Sequence, residues 1–174
     1  MAITFITSKK EKFREAKALI PHLVQKSIDL PEIQSVDSRE VITHKIAEAR
    51  KHIKGTIIVE DASVELEALN GFPGALAKWM ITRLGTQKIY ELCKGSRITY
   101  RAIIGYWHKN TLTFFEDSVH GKVVKPRGKN GWHWDPLFLP AGSRKTFGEM
   151  TLVEKNTFSH RAKAFKRLKR SLEK

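Results

Sequence analysis

Three groups of residues in this 174-residue chain carry side chains suited to phosphate chemistry. The first is the turn TSKKEK, residues 7 to 12, which follows a short apolar run. Backbone amides at a helix start point outward without partners; with the Thr7 and Ser8 hydroxyls and the Lys12 ammonium they form a cradle for phosphate oxygens. The glycines and GK[ST] ending of a P-loop are missing, so the same residues also read as an ordinary capped helix start. The second group is a set of carboxylates, Glu32 after DLP and Glu60-Asp61 after TIIV. Acids at strand ends emerge at one edge of an α/β sheet, where such folds place a ligand crevice, and two or three together suit a hard oxygen-bound ion such as Mg2+. Neighbouring residues of an extended strand face opposite sides, so only one of Glu60 and Asp61 is expected to reach a given site. Taken singly, each of these acids is equally a solvated loop residue.

The third group lies in the last third of the chain, in GKNGWHWDPLF and EKNTFSHRAK. Trp132 and Trp134 offer stacking faces, although core packing is the commoner fate of tryptophan. His160 and Arg161 offer base-edge donors or simply begin a helix, and Lys155 reads by itself as a surface lysine. No nucleophile constellation competes: there is no GxSxG, no HExxH and one cysteine, Cys93. The seven histidines lack metal-ligand spacing, which argues against zinc.

These groups need elements to position them. AITFIT is a short β-branched and aromatic run, and Phe13, Ala16, Leu19 and Ile20 recur at helical spacing after it. QKSIDLPEI reads as a second strand closing on Leu30 and Pro31. SREVITHKIAEARKHI returns to helical spacing through Val41, Ile42, Ile46, Ala49 and Ile53. TIIVED reads as a short buried strand ending in the two acids. A helix is expected from Gly74 to Tyr90, then strands at SRITYRAIIGYWH and TLTFFEDSVHGKVV. From Arg161 to Lys174 seven Lys/Arg stand against one acid, while Phe165, Leu168 and Leu172 form an apolar stripe, so an amphipathic helix with a basic solvent face closes the chain. Strands alternate with helices early and pair as a hairpin late, which predicts a mixed sheet covered by helices.

The length suits one sizeable core, so residues 1–174 are expected to form a single domain. No apolar run approaches the ~20 residues of a membrane span, and the N-terminus runs straight into charge, so a soluble intracellular protein is expected, with no membrane partner. A lone cysteine fits a reducing compartment. A formal net charge of +14 and a pI near 10.0 gather polyanions without distinguishing nucleic acid, an anionic surface or a phosphorylated metabolite.

In order and spacing the segments resemble the inosine triphosphate pyrophosphatase family, which acts on deaminated purine nucleoside triphosphates. ITFITSKKEKFREAK is similar to that family's first strand and T-x-N-x-x-K turn, followed by DLPEIQ. IIVEDASVELEALNGFPGALAKWM resembles its metal-binding strand and A-L-x-G-x-P-G segment. GKVVKPRGKNGWHWDPLFLPAGSRKTFGEMTLVEKNTFSHRAKA resembles its P-R-G, W-D-P-x-F, T-[FY]-x-E-M, E-K-N and S-H-R-x-[KR]-A signatures. The matches cover nearly the whole chain in the right order. The resemblance implies an α/β fold with a long curved mixed sheet surrounded by helices, and two lobes flanking a deep central cleft. It also implies cytoplasmic hydrolysis of ITP, dITP and XTP to the monophosphate and pyrophosphate by a homodimer that requires Mg2+, with Mn2+ as a substitute. By the same resemblance Thr7, Ser8, Lys9 and Lys12 form the phosphate turn, Glu32 and Asp61 hold metal, and Asp61 activates water. Lys45 and Lys78 match lysines near the phosphates, Lys155 is the lysine of the E-K-N motif, and Trp134, Asp135, His160 and Arg161 fall on the base-binding positions, with Lys155, Trp132 and His133 also counted as substrate-binding.

Some positions depart from that pattern. Lys9 stands where asparagine is usual, Ala62 where a hydroxyl residue is usual, and Trp132-His133 where Phe-Gly is usual. These departures bear on efficiency and base preference. Two alternatives stand beside the resemblance: a pyrophosphatase for another modified nucleotide, and a basic single-stranded nucleic-acid-binding protein in which Trp132 and Trp134 stack on unpaired bases.

Overall fold

The computed structural model describes residues 2–173. β1 (Ile3–Ile6) leads into α1 (Lys10–Lys17), which turns Ala16 and, unexpectedly, Glu15 inward. β2 (Leu23–Lys26) then pairs in parallel with β1, Ile3 opposite Leu23. The expected strand over 25–33 is therefore displaced toward the N-terminus. β1 supplies only four partners, Ile3 to Ile6, so the ladder ends at Lys26. Residues 27–37 have no helix or strand; Ile28 and Leu30 still pack against the core, and Pro31 has no amide to donate.

α2 (Ser38–Ala49) is capped by Asp37, whose carboxylate accepts from the Arg39 amide, and buries Val41, Ile42, Ile46 and Ala49. β3 (Thr56–Leu66) does not stop at the acids as expected. It runs on because β5 (Arg97–His108) offers an antiparallel ladder from Ile57↔Trp107 to Leu66↔Ile98, placing Glu60 and Asp61 mid-strand opposite Ile104 and Ile103. β4 (Pro73–Gly74) folds back on β3, and α3 (Ala77–Cys93) begins and ends three residues later than expected, with a break at Gly85 (φ 71, ψ 168). β6 (Thr111–Val123) completes the hairpin with β5, and β7 (Phe138–Pro140) adds the last strand. α4 (Leu152–Phe158) and α5 (His160–Leu172) meet at Ser159, whose side chain accepts from the Ala162 amide and starts α5 at a sharp corner.

The result is a seven-stranded mixed sheet ordered β2-β1-β3-β5-β6-β7, with β4 on β3 and helices on both faces. α1 and α5 cover one face through Phe5, Phe165 and Leu168, and α2 covers the other through Ile42, Ile46 and Ile57. A separate cluster joins α3 to Leu66, Tyr100, Trp134, Phe138 and Phe147. β3 runs through all of them: Ile58 belongs to the first, Ile57 and Val59 to the second, Val64 and Leu66 to the third. Glu60 to Ser63 fall at the junction between clusters, where apolar side chains leave a gap.

Candidate functional site

That gap is a cavity of roughly 360 Å3, and every sequence-predicted site residue borders it. β1 and α1 bring Thr7, Ser8, Lys9 and Lys12; residues 27–37 bring Glu32, α2 brings Lys45 and α3 brings Lys78. The loop before β7 brings Trp132, His133, Trp134 and Asp135, and the α4–α5 corner brings Lys155, His160 and Arg161.

At one end, Asp61 Oδ2 accepts from Ser38 Oγ at 2.9 Å, and Asp61 Oδ1 lies 3.6 Å from Lys45 Nζ. Lys45 also contacts Glu32 Oε1 at 2.7 Å, so one lysine joins the two carboxylates. Burial pushes the Asp61 carboxyl above its ordinary range against the pull of Lys12, Lys45 and Ser38. Burial acts on Glu32 too, but there the Lys45 hydrogen bond and charge prevail and the carboxyl is held low. Among the described residues no three His, Cys, Asp or Glu side chains are grouped to enclose a metal. Two carboxylates instead suit an ion that completes its shell with phosphate and water, as Mg2+ does. Trp79 Nε1 donates to Gln34 Oε1 at 2.6 Å and so ties the Glu32 segment to α3.

Glu60 has the opposite surroundings. Both acids border the cavity, against the expectation that only one of them would, but their close partners differ: Arg161 Nε donates to Glu60 Oε1 at 3.0 Å, and Lys12 Nζ lies 2.7 Å from Oε2. Arg161 Nη1 continues to Glu15 Oε2 at 2.7 Å, Glu15 Oε1 is 3.4 Å from Lys155 Nζ, and Lys155 donates to Asp135 Oδ2 at 2.8 Å. Three carboxylates alternate with three cations in this chain of contacts. Burial pushes Glu60 upward, yet Arg161 and Lys12 outweigh it and hold the carboxyl at about 2. Glu15 is likewise lowered, with Arg161 and Lys155 overcoming burial. Burial, reinforced by Arg161, presses the His160 imidazole well below its usual range, so the ring is neutral at pH 7.

Asp135 also accepts from the Trp132 amide at 2.6 Å, which fixes the aromatic loop on the buried ion chain. Gly131 makes this turn possible: its φ is +78°, and a Cβ there would fall 2.0 Å from Asp135 Oδ2. Trp134 is 6% exposed, and its Nε1 donates to Ala77 O at 3.1 Å. It borders the cavity as part of the core, so the reading of two open stacking faces is corrected: Trp132 is half-buried and Trp134 is packed. Lys155, a surface lysine by its local sequence, is 5% exposed. Arg161 commits Nε and Nη1 to carboxylates, leaving Nη2 without a protein hydrogen bond among the described residues.

Sequence reasoning missed Glu15, Ser38 and Tyr100. Glu15 follows Lys12 by three positions on the inward face of α1, and a charge on an apolar stripe was the available signal. Ser38 was visible only as the first residue of α2. Tyr100 Oη and His160 Nδ1 are buried without a hydrogen-bond partner among the described residues, and the two rings meet edge to face at 5.3 Å.

A profile of the Ham1 family matches residues 3–171. The dITP/XTP pyrophosphatase of Pyrococcus horikoshii is 33% identical over 174 residues, covering 95% of this chain and 94% of the relative. The inosine triphosphate pyrophosphatase of Fusarium vanettenii is 37% identical over 176 residues, covering 95% and 93%. A HAM1 protein from Coxiella burnetii has the same fold, with a TM-score of 0.81 at 22% identity over 99% of this chain and 98% of that one.

Proposed function

The chain belongs to the Ham1 family, and from that premise we propose that it hydrolyses ITP, dITP and XTP to the monophosphate and pyrophosphate. The observation that carries this reading is the division of one cavity into a cationic and carboxylate end and an aromatic end. The relatives named as dITP/XTP and inosine triphosphate pyrophosphatases match over nearly the whole chain.

In this reading the Thr7–Lys12 turn, Lys45 and Lys78 bind the phosphates and stabilise charge as it builds on the leaving pyrophosphate. Glu32 and Asp61 hold Mg2+, or Mn2+ in its place; when bound, such an ion neutralises phosphate charge and acidifies an attacking water. Asp61 would take the proton of an attacking water. Ser38 orients its carboxylate through the 2.9 Å hydrogen bond. Glu60, held ionised by Arg161 and Lys12, positions those two cations and leaves proton transfer to its neighbour. Trp132 and His133 cover the purine, while Trp134 and Asp135 shape the wall beneath it. Neutral His160 and the open Nη2 of Arg161 face the 6-oxo edge. Adenine presents an amino donor there, leaving these groups unpaired at ~1–3 kcal/mol each.

The reading also takes residues 1–174 as one domain, of which Met1 and Lys174 lie outside the described residues, and includes a cytoplasmic homodimer. Among the described residues no helix is long and apolar enough to cross a membrane. The nucleic-acid alternative draws on the net charge of +14, but burial of Trp134 removes one of its two stacking faces. A substrate panel separates the readings. With Mg2+, pyrophosphate release from ITP and XTP should far exceed release from ATP or GTP. Equal rates on all four would refute the selectivity; no release, together with tight salt-sensitive binding to single strands, would favour the alternative.

A further inference from the structure

Lys9 and Trp132 lie far apart in sequence, yet the Lys9 ammonium sits over the Trp132 indole, 5.4 Å from the ring centroid. Both backbones are anchored. The Lys9 amide donates to Thr7 Oγ1 at 3.1 Å at the start of α1. The Trp132 amide donates to Oδ2 of the buried Asp135 carboxylate, the same oxygen that Lys155 holds at 2.8 Å. Beside the buried ion chain, the phosphate turn and the aromatic loop are thus joined directly by a contact between two side chains. Lys12 and Lys45 are ion-paired to Glu60 and Glu32, whereas Lys9 has no carboxylate partner among the described residues and rests on the aromatic face.

We propose that Lys9 is a specificity-determining residue: it covers the Trp132 face in the free enzyme and leaves it for the triphosphate, so the platform opens to a base only when the phosphate cradle is filled. This rests on the nucleotide reading above. An ammonium over an exposed aromatic ring is weakly held, and a charge-assisted hydrogen bond to phosphate is stronger, so the triphosphate wins the competition for Lys9. A nucleoside cannot draw the ammonium away and meets a covered platform. After cleavage, departure of pyrophosphate returns Lys9 to Trp132 and displaces the monophosphate. The contact therefore discriminates by phosphate content, separately from any reading of the purine edge.

Two base-free or phosphate-free probes test this by tryptophan fluorescence: inorganic tripolyphosphate and inosine. In the wild type, tripolyphosphate should change an emission component that Trp132→Phe removes. In Lys9→Gln that change should vanish and tripolyphosphate should bind several-fold more weakly, while inosine binds about 3-fold more tightly, the scale of one exposed cation–π contact. Lys9→Arg should restore both wild-type behaviours. The opposite signs are the signature, because a merely structural residue would weaken both ligands alike. Parallel weakening, unchanged affinities in Lys9→Gln, or a Trp132 emission indifferent to tripolyphosphate would each overturn the role of Lys9. In a protein that still hydrolyses ITP, those results leave the functional reading standing; a protein that neither binds nor hydrolyses ITP fails that reading and this one with it.

Discussion

Glu60 and Asp61 are adjacent in sequence but oppositely solvated, and neutralising each should move stability in different directions. The Glu60 side chain is 0% exposed, between Arg161 and Lys12, and burial is overcome by those cations so that its carboxyl lies at about 2 instead of 4.5. At 1.36 kcal/mol per pH unit this displacement is worth about 3 kcal/mol at neutral pH. Removing one partner of a buried ion pair costs ~3–5 kcal/mol by a separate line of reasoning. The folded value is depressed, so the stabilisation is complete above the ordinary 4.5 and is lost as pH falls toward about 2. Glu60→Gln should therefore unfold about 3 kcal/mol more easily at pH 7, with the gap to wild type narrowing between pH 5 and pH 3. Asp61 has the reverse sign. Its folded value is raised from 3.8, chiefly by burial, so its favourable contribution exists below 3.8 and is lost as pH rises through the raised value. Asp61→Asn keeps an acceptor for Ser38 and should be as stable as wild type at pH 7, or more so, while turnover falls by at least about 100-fold. Urea unfolding followed by circular dichroism at several pH values, alongside pyrophosphate release, reads both effects. A wild-type midpoint for Glu60→Gln, a gap that ignores pH, or Asp61→Asn destabilised as much as Glu60→Gln would refute this assignment.

Two further substitutions probe the supports of the site. Lys155→Met removes the cation shared by Glu15 and Asp135; it should cost ~3–5 kcal/mol in urea unfolding and, at temperatures where the variant stays folded, raise the ITP KM by loosening the Trp132 loop. Trp79→Phe removes the 2.6 Å hydrogen bond to Gln34 at an exposed position. It should change stability by only about 1 kcal/mol yet raise the Mg2+ concentration for half-maximal activity, because the Glu32 segment loses its tie to α3.

How far the sequence could be read depended on whether a feature was local. The apolar spacing of Val41, Ile42, Ile46 and Ala49 reports burial against one sheet face, and α2 forms where that spacing predicts. Strand limits are set by partners instead. β2 ends early because β1 is short, and β3 runs past its acids because β5 continues beside it. Neither limit is written in the strand's own residues. The residues that motif order singles out all border one cavity. Their contacts were not legible: Glu15 meets Arg161 across 146 positions and Lys155 across 140. A side chain so placed reads locally as a surface charge, since nothing within a few residues shows that its partners will be buried with it. Trp134 fails in the same way, because the Ala77 carbonyl that receives its indole N–H lies 57 residues away.

The charge excess and the chemistry occupy different places. Glu15, Glu60 and Asp135 balance Lys12, Lys155 and Arg161 within the buried chain of contacts, as deep burial of ions requires. Beyond that chain the cavity wall adds Asp29, Glu32 and Asp61 against Lys9, Lys45 and Lys78, so the two signs balance there too. The formal +14 must then reside mainly outside, on exposed residues such as Lys10 and Arg14 of α1 and Lys166, Lys169 and Arg170 of α5. A field from such a surface raises the encounter rate with any polyanion and selects none. Selection is left to an interior that is not strongly positive, and this matters for turnover. A cavity lined only by lysines would hold every polyphosphate, the pyrophosphate product included. In the proposed reading, carboxylates at Glu32 and Asp61 would oppose a bare triphosphate and favour one that arrives with a divalent cation, so the same pair would also limit what the basic surface delivers.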